Sequence, residues 1–290
     1  MTTSLFGAPD RDDRVLPVTR VIAACVVPFL ILAFAVLYLR PDLSGERFAW
    51  KIQPTFTAFW MGTGYLGGAW FFASVVRAKR WHEVTLGLPP VCAFVWVMLA
   101  VTALHWERFD VHHLPFQLWL ILYVSTPLLI PALWLVNRRH DPVVPDAGAT
   151  IVGPRVRVVM GLIGGALVAA ALWMFLSPQA AMSVWAWKLT PLTARVMAGW
   201  FSLSGVGGLA LASEPRWSAW RVLLQSMMVW LALLTLGIWR AWTEFDPSRP
   251  AFAAVVAVPL SLVGLAALYH RQEQGDAANR EPRQRSPAGR

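Results

Sequence analysis

The sequence predicts an all-α integral membrane protein with eight transmembrane helices. They are expected to form two parallel, same-orientation four-helix repeats related by a pseudo-twofold along the membrane normal. Three observations predict this. Charged residues make up only 14% of the chain and hydrophobic ones 57%, whereas soluble domains carry about 25% charged residues. The apolar residues fall into eight continuous runs, 21–39, 53–76, 84–104, 114–137, 156–176, 189–212, 222–239 and 251–270. Each is long enough to cross roughly 30 Å of hydrocarbon as a helix, the form that satisfies its own backbone in lipid. Finally, Trp50-Lys51-Ile52-Gln53-Pro54 returns 137 positions later as Trp187-Lys188-Leu189-Thr190-Pro191.

Taken in order, residues 1–17 form a polar tail. The first run follows Arg11, Arg14 and Arg20 and continues to Arg40-Pro41 without a small-residue cleavage site. It is longer than a signal-peptide core, so a retained span is expected. The first repeat covers 18–137. Residues 138–154, with Pro142, Pro145, Gly148 and Pro154, form a linker. The second repeat covers 155–270, and the Arg-, Gln- and Pro-rich residues 271–290 are expected to be disordered.

Other markers keep nearly the same offset. Arg20-Val21 matches Arg157-Val158, and Leu39-x-Pro41 matches Leu176-x-Pro178, both 137 apart. Arg80-Trp81 matches Arg216-Trp217, and Trp106-x-x-Phe109-Asp110 matches Trp242-x-x-Phe245-Asp246, both 136 apart. Four spans per unit leave both copies facing the same way. Parallel repeats of this kind place sites between the halves in transporters.

Arginine and lysine set the orientation. With the N-terminus inside, seventeen of the 25 basic residues lie inside and seven outside, the cluster Arg77-x-Lys79-Arg80 weighing most. Both termini are then cytoplasmic. The Ala-, Val-, Leu- and Arg-rich composition resembles that of polytopic proteins of high-GC bacteria, which implies a bacterial cytoplasmic membrane. The net charge of +9 is spread between apolar runs, where it meets anionic lipid, so no nucleic acid is expected as a partner.

Several chemistries lack their residues. Cys25 and Cys92 are isolated within apolar runs and form no metal or disulfide motif. No Walker loop, G-x-S-x-G or H-E-x-x-H occurs, and no nucleophile–base pair is visible. No Asp or Glu lies inside a span, which argues against proton-coupled transport. His105, His112 and His113 cluster with Glu107 and Asp110, but no H-x-x-x-H exists and Ala241 replaces His105 in the second copy. No metal is expected there. Haem needs an axial ligand within the bundle, while His82 and His105 fall at opposite ends of one span. No cofactor is expected.

Candidate binding residues are Lys51, Lys188, Asp110, Asp246 and Arg195, with Trp50 and Trp187. The lysines can snorkel to headgroups while the adjacent indoles anchor at the interface. Each aspartate can pair with a lysine on the same face. Arg195, four residues past Pro191, can reach outward or face a crevice between the repeats. Span two holds Gly62, Gly64, Gly67 and Gly68, span six holds Gly199, Gly205, Gly207 and Gly208, and span five holds Gly161-x-x-x-Gly165. These predict close packing of spans two and six. The leading expectation is uncoupled binding or transport of a small or amphiphilic molecule between the repeats, with lipid bilayer and a lipid or small-molecule ligand as partners. A structural or assembly subunit beside a membrane protein partner is one alternative. A membrane enzyme at the outer interface, using His105, Glu107 and Asp110, is the other.

Overall fold

The protein was analysed as a computed structural model, which describes residues 11–143 and 149–284. It is 81% helical, with no strand among the described residues. The helices are α1 (Pro17–Phe34, extended by a π-helical segment Ala35–Leu39), α2 (Ser44–Arg47), α3 (Thr55–Arg77), α4 (Leu88–Leu104), α5 (Leu114–Asn137), α6 (Pro154–Leu176), α7 (Pro178–Val184), α8 (Pro191–Ser213), α9 (Trp217–Arg240) and α10 (Phe252–Gln284). Pro17, Pro154, Pro178 and Pro191 each open a helix, where a missing N–H costs no hydrogen bond. At α8 the start is reinforced by Thr190 and Thr193, whose hydroxyls each accept the other's backbone N–H at 3.1 and 2.7 Å.

Among the described residues, seven helical segments are long and apolar enough to cross a membrane, as expected of a multi-pass protein. The predicted run 53–76 forms α3, which has 23 residues but lies outside that set. Four glycines, two tryptophans, Tyr65 and four residues of Thr or Ser dilute its apolarity. These are residues that serve contact with protein rather than lipid, and most of α3 is buried.

The long helices pack in two series, α1–α3–α9–α10 and α6–α8–α4–α5. The chain therefore interleaves its predicted halves: α3 leans on α9 and α4 on α8. The glycines make this possible. A Cβ on Gly62 would stand 3.0 Å from the Tyr38 backbone nitrogen, and one on Gly67 3.0 Å from the Ser226 carbonyl of α9. In α6 the close contact belongs to Gly164, whose Cβ would meet Gly205 O and Leu209 N at 2.7 Å. Gly165 has open space beside it. The span-two glycines thus seat α3 mainly against α1 and α9. Only Gly64 faces α8, through the Trp200 ring.

The readings of the two tails are corrected. Residues 271–284 continue α10, because α9 ties them down. Arg221 pairs with Glu273 and reaches Asp276 at 2.6 Å, and the Trp217 indole donates to Glu273 at 3.0 Å. Residues 285–290 lie outside the described residues. In the expected N-terminal tail, Asp13 and Val15 are buried, and residues 1–10 lie outside the description. The linker is held on both sides of residues 144–148, which also lie outside the description. Val152 N–H donates to Pro215 O at 2.8 Å, and Asp141 meets Arg216 at 2.9 Å.

Candidate functional site

A cavity of about 720 Å³ lies among α1, α3, α4, α5, α8 and α9, within the range of small-molecule sites. Its wall on α5 steps through Leu114, Leu118, Leu122, Thr126 and Ile130, close to one helical turn apart. Phe29 and Leu32 of α1 and Leu114 of α5 line it and are also exposed on the helix surface. The chamber therefore opens sideways between α1 and α5. Those two helices are pinned together at the arginine-rich end by Asn137, which accepts the Leu16 N–H at 3.1 Å and donates to Thr19 Oγ1 at 2.6 Å.

Among the described residues, charge lines the chamber only at its mouth, with Arg40 before α2 and Glu46 and Arg47 within it. Deeper, the wall is aromatic. Tyr65 and Tyr123 are buried with their hydroxyls 3.3 Å apart. The Trp200 ring lies edge-on to Tyr65 at 5.2 Å, and Trp119 lies 4.2 Å from Tyr123. A lateral opening, an apolar barrel of side chains and a charged rim can take an amphiphile from lipid with its chain inside and its polar end outward.

None of the seven sequence-predicted site residues lines this chamber. Lys51 and Lys188 are exposed, and among the described residues no ion pair joins them to either aspartate. Asp110 instead accepts the His112 N–H at 2.9 Å. Asp246 accepts from Ser248 at 2.6 Å and from Arg249 at 3.3 Å, closing its own loop. Trp50 and Trp187 are not interfacial anchors. Trp187 is buried against Phe56 and Phe245 and donates to Thr57 Oγ1 at 3.0 Å. Trp50 is half-buried, edge-on to Phe109 at 5.6 Å and Trp119 at 5.1 Å. Aromatic area gains more from ring packing here than from a headgroup.

Arg195 does not snorkel. Its Nε donates to the Phe175 carbonyl at 3.0 Å near the end of α6, and NH1 lies 3.0 Å from His105 Nε2. Burial, with Arg195 and Arg108 nearby, holds the His105 imidazole below its ordinary pKa, so it accepts as the neutral ring. The three clustered histidines do not converge: His113 meets the Phe48 carbonyl at 3.1 Å and His112 is exposed. Among the described residues no three metal-ligating side chains come together. Glu244 was not foreseen. Its carboxylate accepts the backbone N–H of Thr55 and Phe56 at 3.0 and 2.7 Å, placing negative charge at the α3 N-terminus.

The sequence also hides a carboxylate–imidazole–hydroxyl chain. Asp13 Oδ2 lies 2.6 Å from His82 Nδ1, and His82 Nε2 lies 2.9 Å from Ser218 Oγ. That order is the one used to activate a serine nucleophile. Here His82 is 3% exposed, Arg80 shares Asp13 at 2.8 Å, and the chamber does not reach Ser218. The chain works as a bolt between the N-terminal segment, the α3–α4 turn and α9. Burial pushes the Asp13 carboxyl up, but hydrogen bonds from His82 and Arg80 bring it net below its ordinary value. A depressed carboxylate stabilises above its unfolded pKa of about 3.9 and loses that contribution as pH falls through its folded value. Thermal unfolding in detergent is therefore expected to hold steady from pH 7 to 5 and to weaken below pH 4. Asp13→Asn should start lower and lose less over that acid step.

No protein-family model matches the chain, and neither does any curated protein or solved structure.

Proposed function

We propose that the chain is an eight-span cytoplasmic-membrane protein that binds or passes an amphiphilic molecule through the lateral chamber, without coupling to ATP. In this reading α3 is the buried eighth span. At 1.5 Å per residue its 23 residues cover about 35 Å, and its low apolarity follows from facing protein on most sides. Both termini lie in the cytoplasm, and the Trp50 and Trp187 end faces out.

Matched local contacts support two parallel copies of one four-helix block. The Arg14↔Arg80 backbone bridge has its counterpart in Ile151↔Arg216, and Trp81 N→Asp13 O in Trp217 N→Thr150 O. Trp50 meets Phe109 at 5.6 Å and 82°, and Trp187 meets Phe245 at 5.7 Å and 83°. Trp106–Phe116 at 5.8 Å has its counterpart in Trp242–Phe252 at 5.9 Å. All of these keep offsets of 136 or 137. The packing pairs follow the same rule, with α1–α3 answering α6–α8 and α3–α9 answering α8–α4.

The observation that carries the functional reading is the chamber itself, apolar within and open to the lipid side. The test is to purify the full chain from its native membrane into nanodiscs and weigh what co-elutes. One amphiphile per chain is expected, falling about tenfold or more in Ala33→Trp, which fills the chamber, with the melting temperature kept. An empty wild-type chamber accompanied by stoichiometric protein would favour the assembly-subunit reading instead.

A further inference from the structure

Resting on that reading, we infer that the chamber's occupant is a neutral amphiphile whose hydrogen-bond-accepting carbonyl lies at mid-membrane depth, between Tyr65, Tyr123 and Trp200. The inference comes from counting donors against acceptors. Two phenols carry two O–H donors, and the single Tyr65–Tyr123 contact at 3.3 Å uses one. The second hydrogen finds no acceptor among the described residues, although both rings are at most 6% exposed. Trp200 and Trp230 also line the chamber with their rings; their buried indole N–H groups have no partner, as is also true of Trp50, Trp60, Trp81 and Trp185 away from it, so the count rests on the tyrosine hydrogen. The other polar side chains on the wall are already spent on backbone carbonyls or side chains. Thr126 donates to Leu122 O at 2.6 Å, Ser226 to Gly67 O at 2.6 Å, and the Trp119 N–H to Thr102 Oγ1 at 3.0 Å. The interior thus holds one phenolic hydrogen without an acceptor, while its hydroxyl oxygens keep lone pairs.

Unmet donors in an apolar medium are costly, so the missing partner belongs to the ligand. It has to accept, and a carbonyl oxygen does so without bringing a further donor to be buried, as a hydroxyl or amine would. A charge is disfavoured, because among the described residues no Asp, Glu, Lys, Arg or His lines the chamber beyond the mouth residues Arg40, Glu46 and Arg47. Depth narrows the class further. Tyr65 is ten residues into α3 and Tyr123 nine into α5, about 13–15 Å from the helix ends. A ring-borne carbonyl, as in a quinone with an aliphatic tail, reaches that depth, and the Tyr65, Tyr123, Trp119 and Trp200 rings give it flat walls. An acyl ester supplies the same acceptor from a shallower head.

The test uses the full chain in nanodiscs with three probes: decyl-para-benzoquinone, dioctanoylglycerol and decylbenzene, the last having no acceptor. Binding is measured by calorimetry, and the carbonyl stretch of the bound probes by infrared difference spectroscopy. The expected result is that a carbonyl probe binds about 5- to 10-fold more tightly than decylbenzene, with its stretch shifted to lower frequency. Tyr65→Phe/Tyr123→Phe should abolish both the advantage and the shift while leaving decylbenzene binding unchanged. Preference for the quinone identifies a ring-borne carbonyl, and preference for the glyceride an ester; either supports the inference. Equal binding of all three, indifferent to the double variant, overturns the inference but leaves an amphiphile chamber standing. Binding of none of them overturns the chamber reading itself.

Discussion

Arg216→Ala is expected to cost about 3–5 kcal/mol, the range for breaking a buried ion pair by deleting one partner. Arg216 is 3% exposed, and its guanidinium serves two carboxylates at once. Its NH1 and NH2 grip the two oxygens of Asp141 at 2.9 and 3.2 Å, and Nε and NH2 grip Glu214 at 2.8 and 2.7 Å. Burial works against the charge, yet Glu214 and Asp141 together hold the arginine well above its ordinary pKa, so it stays protonated. Alanine would leave two poorly solvated carboxylates facing each other. Lysine cannot reproduce the fork and is expected to recover only part of the loss. The check is thermal unfolding in detergent, with a fall on the order of 10 °C for alanine. Arg249→Ala, which removes an exposed partner of Asp246, is the control and should leave the midpoint unchanged.

Gly164→Val is expected to cost about 3 kcal/mol, the upper part of the range for overpacked interiors. The atoms that a new Cβ would strike belong to the backbone of Gly205, Gly208 and Leu209, all between 2.7 and 2.9 Å away. Backbone in a packed helix cannot turn aside as a long side chain can. The α6–α8 contact, where backbone meets backbone at Gly164, would have to part. Gly165→Val beside it meets nothing within 4 Å and should be nearly silent. Equal effects at the two positions would refute the assigned helix face.

Much of the fold was legible because membranes enforce simple local rules. The predicted starts at 114, 156, 189 and 251 fall within two residues of α5, α6, α8 and α10, whereas Pro17, Pro154 and Pro178, read as tail, linker and the end of a span, open helices. The Trp-Lys-x-x-Pro pair puts its two indoles in like contacts, Trp50 on Phe109 and Trp187 on Phe245. Its interpretation missed, since an indole reads the same in sequence whether it faces headgroups or, like Trp187, a ring cluster. Arg195 read as a snorkelling cation because its acceptors, Phe175 O and His105, are distant in sequence and come close only through helix packing. The chamber was least legible. Apolar lining cannot be told from lipid-facing surface by composition. One signal was available: only four tyrosines occur, and Tyr65 and Tyr123 sit mid-span, where a hydroxyl needs a reason. The tail at 271–284 read as disordered because its acids found their partner, Arg221, across α9.

The most direct measurement places single cysteines at Lys51, Lys79 and Lys188 in a chain lacking Cys25 and Cys92, and labels intact cells with a membrane-impermeant maleimide. Lys51 and Lys79 flank α3, and all three lysines are exposed. Labelling at 51 and 188 from outside, with 79 reached only after permeabilisation, is the predicted result. If 51 and 79 label from one side, α3 does not cross; if 51 and 188 label from opposite sides, the two blocks are not parallel.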